Sequence, residues 1–121
     1  MSTSVIVAAA VQCDPQVGME NKDKNLARTL ELANAAADEG ANLVVLPELV
    51  NTGYSFETLE EAYAHAEPLT GPTVHAWCEL ARDRGIHLVG GMAEADGVRL
   101  YDTAVLIGPD GVIGCYRKAH L

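Results

Sequence analysis

The chain has 121 residues, 49% of them hydrophobic and 21% charged, which is enough for one domain with its own core and too apolar for disorder. Its net charge of -9, with only eight scattered Lys and Arg, excludes nucleic-acid backbones and anionic membrane surfaces as partners, because both require clustered cations. Three cysteines, Cys13, Cys78 and Cys115, lack C-x-x-C spacing, so neither a disulfide framework nor a zinc site is expected, and free thiols in a reducing cytoplasm fit best.

Val5 to Val11 is an apolar run with no basic residue before it, too short to span a membrane, and it ends in the turn residues Gln12-Cys13-Asp14-Pro15. It reads as a first buried strand, with no targeting segment visible. Asn21 can cap a helix, and Leu26, Leu30, Ala33 and Ala37 then recur at the spacing of one helical face until Gly40 closes it. Leu43 to Leu46, between Gly40 and Pro47, reads as a second strand buried on both faces. Strand, helix and strand make a right-handed βαβ unit, which places both strands in one parallel sheet.

Pro47 stops that strand and leaves Glu48 at its C-terminal edge, the side of an α/β sheet where ligands bind. Flanked by Leu46, Pro47 and Leu49, this carboxylate is expected to have a raised pKa suited to general-base work, although a solvated first-turn glutamate fits the same spacing. Val50 to Ser55 is then a polar loop with a glycine hinge at a pocket wall, where Tyr54 is a candidate substrate-binding residue.

Thr58-Leu59-Glu60-Glu61 is a capping box, so a short helix is predicted to about Glu67. Pro72 starts a further helix whose inner face carries Val74, Trp77, Cys78 and Ala81, and Gly85 ends it. Three antiparallel strands follow, Ile86 to Ala95, Val98 to Ile107 and Val112 to Lys118, joined by a two-residue Asp96-Gly97 turn and by Gly108-Pro109-Asp110-Gly111. Alternation in the last strand puts Val112, Gly114, Tyr116 and Lys118 on one face and Ile113, Cys115 and Arg117 on the other. No two of His65, His75, His87 and His120 stand at metal-ligand spacing, and no glycine-rich phosphate loop occurs, so neither a metal nor a cofactor is expected.

Val44-Val45-Leu46-Pro47-Glu48-Leu49 with Gly53-Tyr54, and Tyr116-Arg117-Lys118-Ala119-His120-Leu121, resemble two signature blocks of the nitrilase, or carbon–nitrogen hydrolase, superfamily. The opening strand with Gln12, Pro15 and Gly18, and Tyr101 to Gly111, resemble family sequence too, so the likeness runs through the whole chain in the right order. It implies an α/β fold, the N-terminal half of an αββα sandwich, with a mixed parallel and antiparallel sheet and helices on one face. It also implies hydrolysis of amides, carbamoyl groups or nitriles by a Glu-Lys-Cys triad through a covalent acyl-enzyme. Glu48 matches the family's general base and Lys118 its oxyanion-stabilising lysine, while Asp102 stands where asparagine is more usual.

By the same resemblance, residues 1–121 make only the N-terminal portion of the domain, and the chain stops before the strand-to-helix elbow that bears the nucleophilic cysteine. Cys115 alternates away from Lys118, Cys78 lies on a helix's apolar stripe, and Cys13 follows the first strand, so all three are expected to be structural. Half a sandwich should expose an apolar sheet face and a strand edge, which invites homo-oligomerisation or association with a C-terminal half. The alternative is a catalytically silent, truncated homologue that acts as an interaction or oligomerisation module.

Overall fold

The computed structural model describes residues 4–54 and 56–119. Ser55 of the expected loop, and His120 and Leu121 of the final signature block, lie outside the described residues.

Five strands form one sheet in the order in which they occur in the chain. Strands β1 (Ala8–Ala10), β2 (Leu43–Val45) and β3 (His87–Asp96) are parallel, and β4 (Arg99–Gly108) and β5 (Gly111–Arg117) continue the sheet antiparallel. The long connections are helix α1 (Met19–Asp38) between β1 and β2, and helices α2 (Leu59–His65) and α3 (Pro72–Arg84) between β2 and β3. Helical crossovers are what parallel pairing requires, and tight turns suffice once the strands reverse.

Alternation along the strands sorts the two sheet faces. Val44, Leu88, Met92, Val105 and Ile107 are fully buried against Ala33, Trp77, Leu80 and Ala81 of α1 and α3, which forms the core. The opposite face, with Val45, Val89, Ala104, Leu106 and Tyr116, has no covering layer among the described residues. Hence β2 is buried on one face only: Val44 is inaccessible while Val45 is 38% exposed. The apolar run that predicted burial on both sides instead prepares a second, uncovered side.

The first strand also differs from expectation. Regular pairing is confined to Ala8–Ala10, at the sheet edge, and Val5 and Ile6 are each 75% exposed. Nothing among the described residues packs over them.

Helix α1 starts three residues earlier than predicted, with Gly18 and not Asn21 as its N-cap; Asn21 lies inside the first turn and donates from Nδ2 to the Val17 carbonyl at 2.9 Å. Its fully buried stripe is Asn25, Thr29 and Ala33, with Leu26, Leu30 and Ala37 only partly buried beside it. Polar residues are tolerated there because each has partners. Asn25 bonds the Gln16 backbone through both N–H and C=O (2.9 and 2.7 Å) and reaches the Asn51 carbonyl at 3.2 Å, and Thr29 accepts the Trp77 indole N–H at 3.0 Å.

Elsewhere the local signals hold. Thr58 caps α2 by accepting the Glu61 N–H at 3.1 Å, although the Glu61 carboxylate turns to the Glu57 N–H and not back to Thr58. Helix α2 ends at His65, short of the expected Glu67, whose backbone pairs with the end of β3. Helix α3 has Pro72 in its first turn and Gly85 in the left-handed conformation after it, at φ 65°.

The β3–β4 hairpin turns one residue later than predicted, since Asp96 pairs with Arg99 and leaves Gly97-Val98 as the loop. Gly97 supplies the positive φ of 60° at its first position. In β5, a bulge opposite Leu106/Ile107 places Val112 against Ile107 but Gly114 against Leu106. The extra residue reverses the alternation, so Val112 shares the face of Cys115 and Arg117, not that of Gly114 and Tyr116.

Candidate functional site

Beyond β2 the backbone leaves the sheet and folds over it. Leu46 still donates to Val89 at 2.8 Å, and Val50 donates to Gly91 at 3.0 Å, so Pro47, Glu48 and Leu49 arch across the uncovered face between two anchored residues. The arch is possible because residue 91 has no side chain. A Cβ there would lie 2.6 Å from Glu48 Cα and 2.7 Å from the Pro47 oxygen. Leu49 takes a left-handed φ of 45°, a conformation costing on the order of 1 kcal/mol for a residue with a side chain, and its carbonyl accepts from Gly53 N–H at 2.8 Å. The strain is held by these bonds, and it aims Glu48 along the sheet toward β4 and β5.

Lys118 arrives from the other side. Its backbone N–H donates to the Asp102 carbonyl at 2.9 Å, and its Nζ lies 3.0 Å from Glu48 Oε1. The neighbouring Arg117 points to the helical face, where it pairs with the nearly inaccessible Glu94 through Nε at 2.9 Å and Nη2 at 2.7 Å. Thr103 also donates to Glu94 at 2.7 Å, and the Arg117 guanidinium stacks on the Tyr101 ring at 4.0 Å. This anchor fixes the end of β5 and leaves Lys118 facing the opposite side, toward Glu48.

Glu48, Asp102 and Lys118 thus line a cleft of about 440 Å³ floored by Val89, Gly91 and Ala104 and flanked by Tyr116. Tyr54, 59% exposed, lies near enough to Glu48 to feel its charge but does not line the cleft. Of the three residues that the sequence singled out, the fold brings Glu48 and Lys118 together in the cleft and leaves Tyr54 outside its lining.

The electrostatics run against one expectation. Glu48 is held below the ordinary carboxylate range, first by the hydrogen bond from Asp102 and then by that from Lys118, which together outweigh its burial. The apolar flanks Leu46, Pro47 and Leu49 predicted a raised value, but the arch carries the carboxylate out to polar partners. The displaced proton affinity appears on Asp102, raised to about 6 by burial and by the Glu48 carboxylate. Lys118 is raised by its bond to Glu48, and Tyr54 by burial and by the Glu48 charge.

Asp102 is the site residue that residue-by-residue reading left without a role. Counting back from the Gly108–Gly111 turn pairs it with Arg117, and only the bulge shifts the register to Lys118. The thiols are placed as expected. Burial pushes Cys13 and Cys78 up, and Cys115 sits opposite Val105, whose side chain belongs to the helix-covered face.

A second buried polar cluster lies behind the arch. Glu67 is 5% exposed and accepts from Thr73 N–H at 2.8 Å, from Thr73 Oγ1 at 2.6 Å and from Lys22 Nζ at 2.8 Å. Asn51, at the far end of the arch, donates to Thr73 Oγ1 at 3.3 Å. The cluster ties α1, α3 and the Glu48 loop together.

Residues 7–121 match the family model described as Carbon-nitrogen hydrolase. The chain belongs to this family. It is 46% identical to a nitrilase of Pyrococcus abyssi over 118 residues, which cover 97% of the chain and 44% of that protein. It is 41% identical to the omega-amidase NIT2 of Danio rerio over 102 residues, 83% of the chain and 36% of that protein. Its fold superimposes on Saccharomyces cerevisiae Nit3, a member of the nitrilase superfamily, with a TM-score of 0.74 and 29% identity, covering 89% of the chain and 42% of that structure. This carbon-nitrogen hydrolase chain therefore spans less than half the length of the relatives that it matches.

Proposed function

We propose that the chain supplies the base and the oxyanion-stabilising half of a thiol-dependent active site that hydrolyses non-peptide carbon–nitrogen bonds, amides foremost. Glu48 is the general base and Lys118 the oxyanion lysine. The 3.0 Å approach of Lys118 Nζ to Glu48 Oε1, on an arch seated over Gly91, carries this reading. The nucleophilic cysteine lies outside these 121 residues, in further sequence of the same product or in a companion chain. The uncovered apolar face is where the second layer of the sandwich packs, and a homo-oligomer builds on that pairing.

In the first step Glu48 takes the proton from the thiol, and the thiolate attacks the carbonyl carbon. The C–N bond then breaks with loss of ammonia or amine, and water attacks the thioester to release the acid. Proton transfer from a thiol of ordinary pKa to a carboxylate held below its usual range is uphill. It therefore accompanies attack: as the oxyanion develops, Lys118 shifts its charge toward it, Glu48 loses part of the interaction that lowers its pKa, and its basicity rises. A donor of this kind contributes roughly 3–4 kcal/mol to the transition state. Tyr54, just outside the cleft's lining, contacts the substrate. Among the described residues no helix is long and apolar enough to cross a membrane.

The test is Glu48→Gln in the complete protein. Turnover of small amides should be lost with the fold intact, and an amide or nitrile analogue directed at thiols should form an adduct on the wild-type protein. Retained turnover would remove Glu48 from the mechanism. Intact mass from the source cell decides how the site is completed: a product about twice as heavy supports a single chain, whereas a product of 121 residues without companion favours the truncated interaction module.

A further inference from the structure

We propose that Glu94, a buried carboxylate that touches no reacting atom, is a positioning residue for Lys118: through Arg117 it fixes the end of β5 so that the lysine ammonium meets Glu48. The proposal rests on the reading of Lys118 as the oxyanion lysine and Glu48 as the base, but the placement itself can be measured without turnover. Glu94 is 2% exposed and takes Arg117 in a two-point grip, Nε to Oε1 at 2.9 Å and Nη2 to Oε2 at 2.7 Å. A fork of this kind fixes direction as well as distance, which a single ammonium contact does not. Thr103 Oγ1 donates to Glu94 Oε1 at 2.7 Å and steadies the carboxylate. The Arg117 guanidinium also lies 4.0 Å from the Tyr101 ring and donates from Nη2 to Asp96 at 3.2 Å, so three residues hold it.

The backbone that carries this grip is itself fixed. Glu94 pairs with Tyr101 of β4 on one side, and on the other the Glu67 backbone brackets it, donating its N–H to the Ala93 carbonyl at 3.0 Å and accepting from Ala95 N–H at 2.8 Å. The same strand carries Gly91, three residues earlier and on the opposite face, beneath the arch. Strand β3 therefore gauges both halves of the pair: it seats Glu48 through Gly91 on the open face and sets Lys118 through Glu94 on the helical face. With Arg117 held on the helical side, alternation sends Lys118 to the open side, where its N–H donates to the Asp102 carbonyl at 2.9 Å and its Nζ reaches Glu48 Oε1 at 3.0 Å. The Lys118 and Glu48 side chains are 47% and 37% exposed, so their own contact is too weak to set this geometry. Nor does stability call for the Glu94–Arg117 pair, since apolar side chains of similar volume serve a buried site as well as an ion pair does. Placement is what the pair adds.

The experiment takes the complete protein, with any companion chain present, as wild type, Glu94→Gln and Arg117→Lys, and follows the Lys118 Nζ resonance by nitrogen NMR titration together with kcat and KM for propionamide. Arg117→Lys keeps the charge and gives up the fork, so it decides the matter if Glu94→Gln fails to fold. In the wild type Lys118 should titrate above the ordinary lysine range, because the bond to Glu48 holds its proton. In both variants it should move back toward that range, and kcat should fall about tenfold to a hundredfold while KM changes less than about threefold. Where propionamide is not turned over, the titration alone decides. A Glu94 that only stabilises the fold would lower the denaturant midpoint and leave the Lys118 titration and the kcat of the folded protein unchanged, and that result would overturn the proposal. If Glu48→Gln keeps its turnover while the Lys118 titration moves in Arg117→Lys, the base assignment fails and the positioning stands. If Glu48→Gln is inactive and the Lys118 titration is unmoved in both variants, only the positioning fails.

Discussion

Gly91 lies directly beneath the backbone of Glu48, so close that its missing side chain is a condition for the arch to rest on the sheet. A methyl group at position 91 would meet Glu48 Cα, the Pro47 oxygen and the Leu49 nitrogen within 2.9 Å, all of them backbone atoms that cannot rotate aside. Gly91→Ala should therefore lift the arch, separate Glu48 from Lys118 and destabilise the fold by roughly 1–3 kcal/mol. Denaturant midpoints report the stability, and the Glu48 carboxyl resonance should return toward the ordinary range. A Gly91→Ala protein with the wild-type midpoint and Glu48 titration would show that the arch does not depend on this contact.

Arg117→Met should destabilise the protein strongly. It strands Glu94, 2% exposed, with Thr103 as its remaining side-chain donor. Removing one partner of a buried pair costs about 3–5 kcal/mol, and because Arg117 is partly exposed a loss of about 2–4 is expected. Glu94→Gln in the same background should recover part of it. A loss below about 0.5 kcal/mol would mean that solvent already reaches Glu94.

Acid should weaken the fold through Glu67. Its burial raises the pKa, but Lys22 and Thr73 outweigh that, so the net direction is downward. A depressed carboxylate contributes stability that is present above its unfolded value of about 4.5 and is lost as pH falls through the lower folded value. The stability difference between wild type and Glu67→Gln should accordingly be largest at neutral pH and shrink below pH 4.5. A difference independent of pH would assign the cost to packing alone.

Asp102 should act with the opposite sign. Its folded pKa of about 6 exceeds the unfolded 3.8, so the folded state binds the extra proton and loses stability as pH rises through that window. Asp102→Asn should then be more stable than wild type at pH 7, by on the order of 1 kcal/mol after allowing for solvent screening, and the gain should disappear below about pH 4. Thermal unfolding at several pH values measures both limbs.

The three thiols should alkylate in an order set by access. Cys115 is exposed and should react first with iodoacetamide at neutral pH; Cys13 and Cys78 are partly buried, and burial suppresses their thiolates. Peptide mass spectrometry over time resolves the three. Faster labelling of Cys13 than of Cys115 would make Cys13 a candidate nucleophile.

Much of this architecture was legible because local chemistry and global fold agree. The Thr58 cap, Pro72 in the first turn of α3, the left-handed Gly85 and the β4–β5 turn are local signals that packing did not override, whereas the β3–β4 turn moved by one residue. Glu48 and Lys118 were legible from their neighbours, but as an assembly only through family resemblance, since they come from an arch and a strand end. What was not legible depended on long-range geometry. The bulge in β5 adds one residue and thereby brings Asp102, not its predecessor, beside Lys118. The apolar run at β2 cannot tell a strand buried on both faces from one whose second face awaits a partner layer. The lowered pKa of Glu48 reflects partners 54 and 70 residues away along the chain, Asp102 and Lys118, which no window around Leu46-Pro47-Glu48-Leu49 contains.

The five strands lie side by side in the order in which they are synthesised. A chain leaving the ribosome can add each strand to the one before it, without holding a slot open for sequence still to come. The Glu48 arch rests on β3, through Gly91, and needs nothing from β5 for its seat. Of the two site residues, Lys118 comes later in the chain, at the end of the strand on the edge of the described sheet. Fraying that begins at the β5 edge would therefore take Lys118 from Glu48 while the arch and the sheet beneath it stay assembled.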